Sequence, residues 1–297
     1  MTGGSDAIAA HLILGSRAEP FLAATLESIA PCVAYLLVND NSPDPSPHDA
    51  TLRASAFARE NRMTVDRTPF DGFAGARNVC LRLHERCSGA GWVAFVDADE
   101  VHAAAVATIA RNLGAVAPGV AFVDGYTWHF FQSFDYYTSI ERRMAFFRFT
   151  PGLRWEGAVH ERLTGAAGTR LALPYVYAHY GHTLEPRRHA EKGRHYSALG
   201  APGDVLSEDR LGDFDVAQYF APEYPRLLRF DGAHPPAARS TLERLRPLLA
   251  QSHALTDRMV QAQPPAIVAR NAVRKLNYEL RWRGRAFDPR ARRVMRD

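Results

Sequence analysis

In the segment GWVAFVDADEVH, Gly91 to His102, the five apolar or small residues Trp92 to Val96 run straight into three carboxylates, Asp97, Asp99 and Glu100. Trp92 to Val96 reads as a short strand buried on both faces. Such a strand does not end in clustered negative charge unless something positive binds there. Asp97 and Asp99 form a DxD pair. On an extended strand end alternate carboxylates project the same way, so the pair can chelate a hard divalent cation, Mg²⁺ or Mn²⁺, and that cation could neutralise a diphosphate.

Such a pair needs a frame, and the first hundred residues supply one. Ile8 to Leu14, Ala34 to Val38, Met63 to Arg67 and Trp92 to Val96 read as strands. Between them lie a helix opening near Pro20, with Leu22, Leu26 and Ile29 on one face, a second over His48 to Arg62, and a third over Phe73 to Arg86. Strict alternation implies right-handed crossovers and a parallel sheet covered on both faces. Ligands of open parallel sheets sit beyond the carboxyl ends of the strands. Four groups should therefore converge: Gly15, Ser16 and Arg17; Asp40 and Asn41; Pro69 to Asp71; and Asp97, Asp99 and Glu100. Singly each is a turn former, but together they are costly to assemble without a ligand.

Length and composition limit the ligand. A chain of 297 residues with 46% hydrophobic and 23% charged content fits one α/β domain plus an appendage. The opening MTGGSDAIAA lacks a signal peptide's basic flank and apolar core, and no apolar run approaches the roughly eighteen residues of a membrane span, so a cytoplasmic chain is expected. Cys32, Cys80 and Cys87 form no CxxC and read as buried thiols. A net charge of +4 and a pI near 9.1 suit an anionic partner. No GxGxxG follows a strand and no GxxxxGK[ST] occurs, which argues against a dinucleotide cofactor and a phosphate loop. DNSPDPSPHDAT, after the second strand, lacks the glycine and glutamate of a calcium loop.

With those alternatives set aside, the chain resembles the family-2 glycosyltransferases of the GT-A fold, in particular the branch typified by bacterial lipopolysaccharide-core glucosyltransferases. The resemblance rests on Asp40, on FAGARN (Phe73 to Asn78), VDADE (Val96 to Glu100), WEGAVHERL (Trp155 to Leu163) and AHYGH (Ala178 to His182), and on Lys192 beyond. It covers roughly residues 8 to 200. It implies a GT-A-like, Rossmann-type nucleotide-diphospho-sugar transferase fold with a mostly parallel central sheet. The glycosyltransferase domain would span residues 1–200, with a nucleotide-binding half over 1–101 and an acceptor half over 102–200, and a helical extension would occupy 201–297. It implies transfer of a sugar from a UDP- or GDP-sugar to a hydroxyl of a saccharide or lipid-linked acceptor. By the same resemblance Asp40 should bind the nucleobase, Arg77 the nucleotide region, Asp97 the ribose or the metal, and Asp99 the metal on the diphosphate. The first loop, where many relatives carry Asn, has Ser16 and Arg17 here; Ser16 is taken as a donor contact.

Chemistry asks for the same roles. Breaking a glycosyl phosphate bond builds negative charge on the leaving diphosphate, which a metal or an Arg stabilises, while the attacking hydroxyl must lose a proton to a base. Asp99 and Arg77 would serve the first need. His160 and Glu161 are the candidates for the second, with Glu161 as base of a single inverting displacement and Glu156 and Asp135 in reserve. If Gly157 to Leu163 is extended, His160 and Glu161 face opposite ways, leaving His160 to the metal or the phosphates. His160 or His179 would complete the metal shell; neither belongs to an HExxH, and no cysteine is near, so zinc is not expected. The alternative for Glu161 is a structural ion pair with Arg154 or Arg162.

Beyond the DxD, His102 to Leu113 reads as a helix, and Val120 to Phe131, Arg142 to Phe149 and Arg170 to His179 as strands of a mixed sheet. Tyr126, Trp128, Tyr136 and Trp155 offer flat faces for a sugar ring, or core. GAPGDVLSEDRLGDFD reads as a connection from about Gly200, and the last helix, Ala266 to Arg283, places Val268, Ala272, Leu276 and Leu280 at four-residue spacing, with Arg270, Arg274 and Arg281 opposite. Residues 270–297 carry ten basic and three acidic side chains. That end is either a peripheral contact with an anionic membrane or a solvated face whose apolar stripe packs on the catalytic domain. No nucleic-acid partner is expected. Two other readings are a haloacid-dehalogenase-like phosphatase with Asp97 as nucleophile, since DADEV fits DxDx[TV], and a non-catalytic nucleotide-sugar binder.

Overall fold

The computed structural model describes residues 5–158, 160–198 and 215–296. The chain begins β1 (Ser5–Leu14), α1 (Leu22–Ile29), β2 (Tyr35–Asp40), α2 (Asp49–Ala54), α3 (Ala56–Arg59), β3 (Met63–Asp66), α4 (Phe73–Cys87) and β4 (Ala90–Phe95). This is the alternation the apolar pattern predicts. The one break lies in the helix expected over His48 to Arg62. Ser55 is extended there (φ −69°, ψ 155°), and its hydroxyl accepts the Ala58 N–H to cap α3. A hydroxyl cap satisfies an N–H that a continuous helix would have paired internally, so the chain divides at the serine.

The second half continues with β5 (Glu100–Val101), α5 (Ala105–Asn112), β6 (Val120–Phe131), β7 (Tyr136–Arg148), β8 (Arg154–Glu156), β9 (Arg162–Thr164), β10 (Thr169–His182) and α6 (Pro186–Ala198). It ends with α7 (Val216–Tyr219), β11 (Leu228–Arg229), α8 (Arg239–Leu248), α9 (Ala250–Gln261), α10 (Pro265–Arg283) and α11 (Pro289–Val294). One sheet runs β3-β2-β1-β4-β7-β6-β10-β5, with β11 on β7, and β8 pairs with β9 as a separate hairpin. The strands β3, β2, β1 and β4 are parallel neighbours, and β6 and β10 are parallel too. β7 is antiparallel to β4 and β6, as β5 is to β10. In the last pairing Glu100 lies opposite His179, which brings the DADE turn against the end of β10.

Leu12, Leu26, Leu36 and Trp92 belong to the main core, which Ala291 and Val294 of α11 also enter. A second core joins Phe21, Phe130, Tyr137 and Tyr180 to Leu242 and Leu245 of α8. The expected domain boundary between residues 200 and 201, and most of the Gly/Asp-rich connection, lie outside the described residues.

Of the two readings of the last helix, the structure rules out the apolar stripe packed on the catalytic domain. No residue of α10 is buried, and Val268, Leu276 and Leu280 of the apolar stripe are 55%, 57% and 62% exposed. The helix docks instead through its polar side. Arg274 donates to the carbonyls of Thr138 and Arg226, Asn271 to those of Pro225 and Leu227, and Tyr278 and Trp282 pack against the second core.

Candidate active site

The carboxyl ends of β1 and β4, the start of α4, the β8–β9 hairpin, the end of β10 and α6 enclose a cavity of about 1210 Å³. Among its walls are Ser16, Arg77, Asp97, Asp99, His160, Glu161 and His179. Seven of the eight expected site residues thus share one space. The eighth, Asp40, does not line it.

Asp97 is the pivot. Arg77 Nη2 donates to its Oδ1 at 2.9 Å, and Arg143 Nη2 to its Oδ2 at 3.3 Å. Arg77 Nε also donates to Glu161 Oε1, while Arg143 Nη1 donates to Glu100 Oε1 at 2.8 Å. Glu100 Oε2 in turn accepts the Asp97 N–H at 3.1 Å. Glu161, Arg77, Asp97, Arg143 and Glu100 therefore form one alternating chain of charges. Burial by itself would raise Asp97, but the two guanidiniums outweigh it and hold the carboxyl well below its usual range. Glu100 is pushed up to about 8, chiefly because it is buried beneath the site, although Arg143 opposes that shift.

The local fold explains Arg77. It sits in the first turns of α4, and its guanidinium lies 4.1 Å from the ring centre of Phe95, with Trp155 behind. Asn78 donates to the Trp155 carbonyl at 3.0 Å and accepts the Trp155 N–H at 2.9 Å. The FAGARN segment thereby pins the hairpin that carries Glu161.

The opposite wall carries a cluster of imidazoles. His179 Nε2 lies 3.4 Å from Asp99 Oδ1, and its Nδ1 lies 3.3 Å from Nδ1 of His129. Burial holds His179 and His182 well below the ordinary imidazole range and lowers His129 and His189 to about 4. Asp99 is raised, first by burial, with Lys192 opposing and Asp97 reinforcing it. Glu19 is raised to about 7, first by burial and then by Asp99, and pairs with Arg188 at 3.2 Å. Gly181 is required at its position. A Cβ there would sit 2.1 Å from Asp99 Oδ2 and 2.9 Å from His179 Nε2.

Asp40 is fully buried and accepts from Ser42, from Ser46 at 2.5 Å and from Arg67 at 3.4 Å. It holds the loop whose Asn41 and His48 reach the cavity. Tyr126 and Tyr136 are core, whereas Trp155 lines the cavity. Gly157 and His160 depart from the extended backbone supposed for Gly157 to Leu163, which is strand again from Arg162. Gly157 and His160 have φ of 108° and 57°, so the chain turns sharply and His160 stands exposed at the rim. Glu161 pairs with Arg77, not with Arg154 or Arg162.

Sequence reasoning missed Arg143, His129 and Glu19. Arg143 alone left a trace, as a cation inside an apolar strand, but nothing separated it from Arg142, which pairs with Asp124 on the strand's other face. A second cavity of about 820 Å³ opens between β7 and α10 and shares His129, Glu141 and His182 with the first.

The family model described as glycosyl transferase family 2 matches residues 16–173. No curated protein sequence matches the chain. Among solved structures, residues 1–349 of TarS from S. aureus align at 14% identity, covering 86% of this chain and 89% of that one, with a TM-score of 0.31. GalNAc-T7 with UDP, GalNAc and Mn²⁺ aligns at 10% identity over 73% and 58%, with a TM-score of 0.36. Mannose-1-phosphate geranyltransferase from Thermus thermophilus aligns at 16% identity over 88% and 67%, with a TM-score of 0.31. Those overlaps are slight, and the assignment rests on the family match, which spans more than half of the chain and includes the cavity walls from Ser16 to Glu161. That membership displaces the phosphatase reading of Asp97, whose two oxygens are already held by guanidiniums. The chain belongs to glycosyl transferase family 2 and is a glycosyltransferase.

Proposed function

We propose that the protein moves a sugar from a UDP- or GDP-sugar to a hydroxyl of a saccharide or lipid-linked saccharide by a single inverting displacement. The observation that carries this reading is one cavity at the strand ends in which a carboxylate held by an arginine, Glu161, faces a carboxylate–imidazole pair, Asp99 and His179. Asp40 supports the nucleoside side by ordering the loop behind Asn41 and His48. Ser16 stands at the mouth. Arg77 joins the donor side to the base, with its charge shared between Asp97 and Glu161.

The residues fit a divalent cation, Mn²⁺ or Mg²⁺. Among the described residues no group of three His, Cys, Asp or Glu could hold a metal ion by itself. That suits these ions, which are held by one or two protein ligands together with substrate phosphates rather than by complete protein cages. Asp99 and a neutral His179, with the room Gly181 leaves, would be those ligands; Asp97 is committed to Arg77 and Arg143, and His160 stands at the rim on the phosphate side. When bound, the ion would stabilise the charge that develops on the leaving diphosphate. Glu161 takes the acceptor proton through Oε2, which makes no hydrogen bond among the described residues, while Arg77 fixes Oε1. The likeness of the motifs to the lipopolysaccharide-core branch, and the second cavity leading towards α10, support a lipid-linked acceptor and an acceptor half that ends in a helical extension.

Calorimetry on Asp99→Ala is the test. The wild type should bind UDP or GDP more tightly with Mn²⁺ than without, and the variant should lose that increment, of the order of tenfold or more, while keeping its metal-free affinity. An unchanged response to Mn²⁺ would remove Asp99 from the metal.

A further inference from the structure

Of the large apolar side chains that stand exposed in the described chain, five of seven fall between residues 268 and 287: Val268, Val273, Leu276, Leu280 and Phe287. The first four lie on one face of α10, at spacings of three, four and five residues. This face is turned away from the protein because Arg274, Asn271, Tyr278 and Trp282 hold the other face down. A helix normally docks by its apolar side. Here the hydrogen bonds and ring contacts of the docked side would have to be given up to turn it over, so the outward stripe is built into the fold.

Charge says what the stripe meets. Residues 270–297 carry ten basic against three acidic side chains, whereas the chain as a whole carries only 36 against 32. The remainder of the molecule is therefore slightly acidic, and the excess positive charge belongs to the segment with the exposed stripe. Among the described residues several of these arginines have no carboxylate partner. Arg283 pairs with Glu279 and Arg290 with Asp288, but Arg270 and Arg274 donate to neutral carbonyls and Arg285 to the Tyr126 hydroxyl. Two copies of the chain meeting through this face would bring two such segments together. An anionic surface relieves the charge and covers the apolar stripe at once.

We propose that α10 and the segment after it lie on the surface of an anionic bilayer, with Val273, Leu276, Leu280 and Phe287 entering the headgroup boundary and the flanking arginines meeting lipid phosphates. The helix is not a span: among the described residues no helix is long and apolar enough to cross a membrane. An in-plane helix needs only an apolar face and a basic flank. The placement also matters for the site, since the opposite face of α10 lines the second cavity through Arg270, Arg274 and Tyr278. A saccharide leaving the membrane by that route would meet the shared residues His129, Glu141 and His182 at the cavity boundary. The membrane contact itself stands on the helix alone and does not depend on sugar transfer.

Sedimentation of the full chain with vesicles tests this. Wild type should pellet with phosphatidylcholine vesicles containing phosphatidylglycerol and not with phosphatidylcholine alone, and the binding should weaken with salt. Leu276→Glu combined with Leu280→Glu should lower partitioning on the order of tenfold or more, and Arg281→Gln combined with Arg293→Gln by a similar factor, at roughly fivefold per arginine. Both variants should keep the wild-type melting temperature and UDP or GDP affinity, because the substituted side chains are exposed and far from the donor. No binding of wild type to the anionic vesicles would overturn the proposal. So would equal binding by the leucine variant, or a solution dimer that dissociates when Leu276 and Leu280 are changed, which would give the face to a second copy.

Discussion

The two longest helices among the described residues, α4 and α10, have similar apolar periodicity and opposite fates. α4 is 15 residues long and buries Ala76, Val79, Cys80, Leu81 and Leu83 together with Arg77 and His84. α10 is 19 residues long and buries none. α4 lies in the crossover between β3 and β4, so sheet twist and the right-handed connection press it onto β1 and β2 whatever its surface offers. Its one buried cation is kept because Asp97 and Glu161 pair with it. α10 follows the last core strand and has no crossover to fix its rotation. Its orientation is chosen by which groups find partners, and carbonyls at Thr138, Pro225 and Arg226 favour the arginine side. A periodic stripe thus says that a helix has two faces; topology says which one is inside.

The comparison can be broken most severely at the point where α4 reaches the chemistry. Arg77 presents Glu161, and Glu161→Gln keeps the size and the hydrogen bond but cannot accept a proton. It should retain donor affinity and lose transfer by about two to four orders of magnitude, the usual range for general base catalysis. Single-turnover rates beside nucleotide calorimetry separate the two quantities. Near-normal transfer, or a product that retains the donor's anomeric configuration, would take the base role from Glu161.

A pair of truncations sharpens the contrast in packing. Leu83 of α4 is 3% exposed and Leu280 of α10 is 62% exposed. Leu83→Ala should cost about 2–5 kcal/mol, the usual effect of opening a buried cavity, whereas Leu280→Ala should stay within about 0.5 kcal/mol. Urea unfolding of both variants reads the difference directly. Comparable losses would mean that the outer face of α10 is packed in solution.

Much of α4's side of the molecule was legible and much of the other side was not. The first four strands fall within three residues of their expected bounds, because each is an apolar run between turn formers in a repeating unit. The strand-end polar residues followed from that frame, and Ser16, Asp97 and Asp99 do meet in one cavity, together with Arg77, which the family resemblance supplied. What failed depended on pairings between distant segments. Asp97, Asp99 and Glu100 were read as one strand end, but the chain turns after Phe95 and re-enters the sheet as β5, which carries Glu100 beneath Asp97. His160 was assigned an extended backbone, yet the hairpin needs a left-handed residue there. The His129–His179 pair comes from β6 and β10, fifty residues apart, and no local pattern relates them.

The smallest effect concerns acid, and it too belongs to α4. His84 on the buried face of α4 lies 3.0 Å from His11 of β1, His84 Nδ1 to His11 Nε2, and its own Nε2 donates to the Ala90 carbonyl at 2.8 Å. That bond places the His84 proton on Nε2, so His84 Nδ1 accepts from His11 Nε2, and the pair is lost when His84 takes up a proton at Nδ1. Burial lowers both, His11 well below the ordinary imidazole value, where a charge on His84 would oppose its own. A histidine whose folded pKa is depressed leaves the unfolded chain binding more protons. The stability it contributes is therefore complete above the unfolded value near 6.5 and is lost as pH falls towards the folded value, at up to roughly 1.4 kcal/mol per pH unit for each proton taken up. Other buried histidines, His102 and His179 among them, add to the slope, so the informative quantity is a difference. His84→Gln should flatten the fall in melting temperature between about pH 6.5 and pH 5. Hydrogen exchange over the same range should show α4 amides losing protection in the wild type before those of α10, which carries no histidine. Equal slopes in wild type and variant would show that α4 is not held to β1 by the neutral pair.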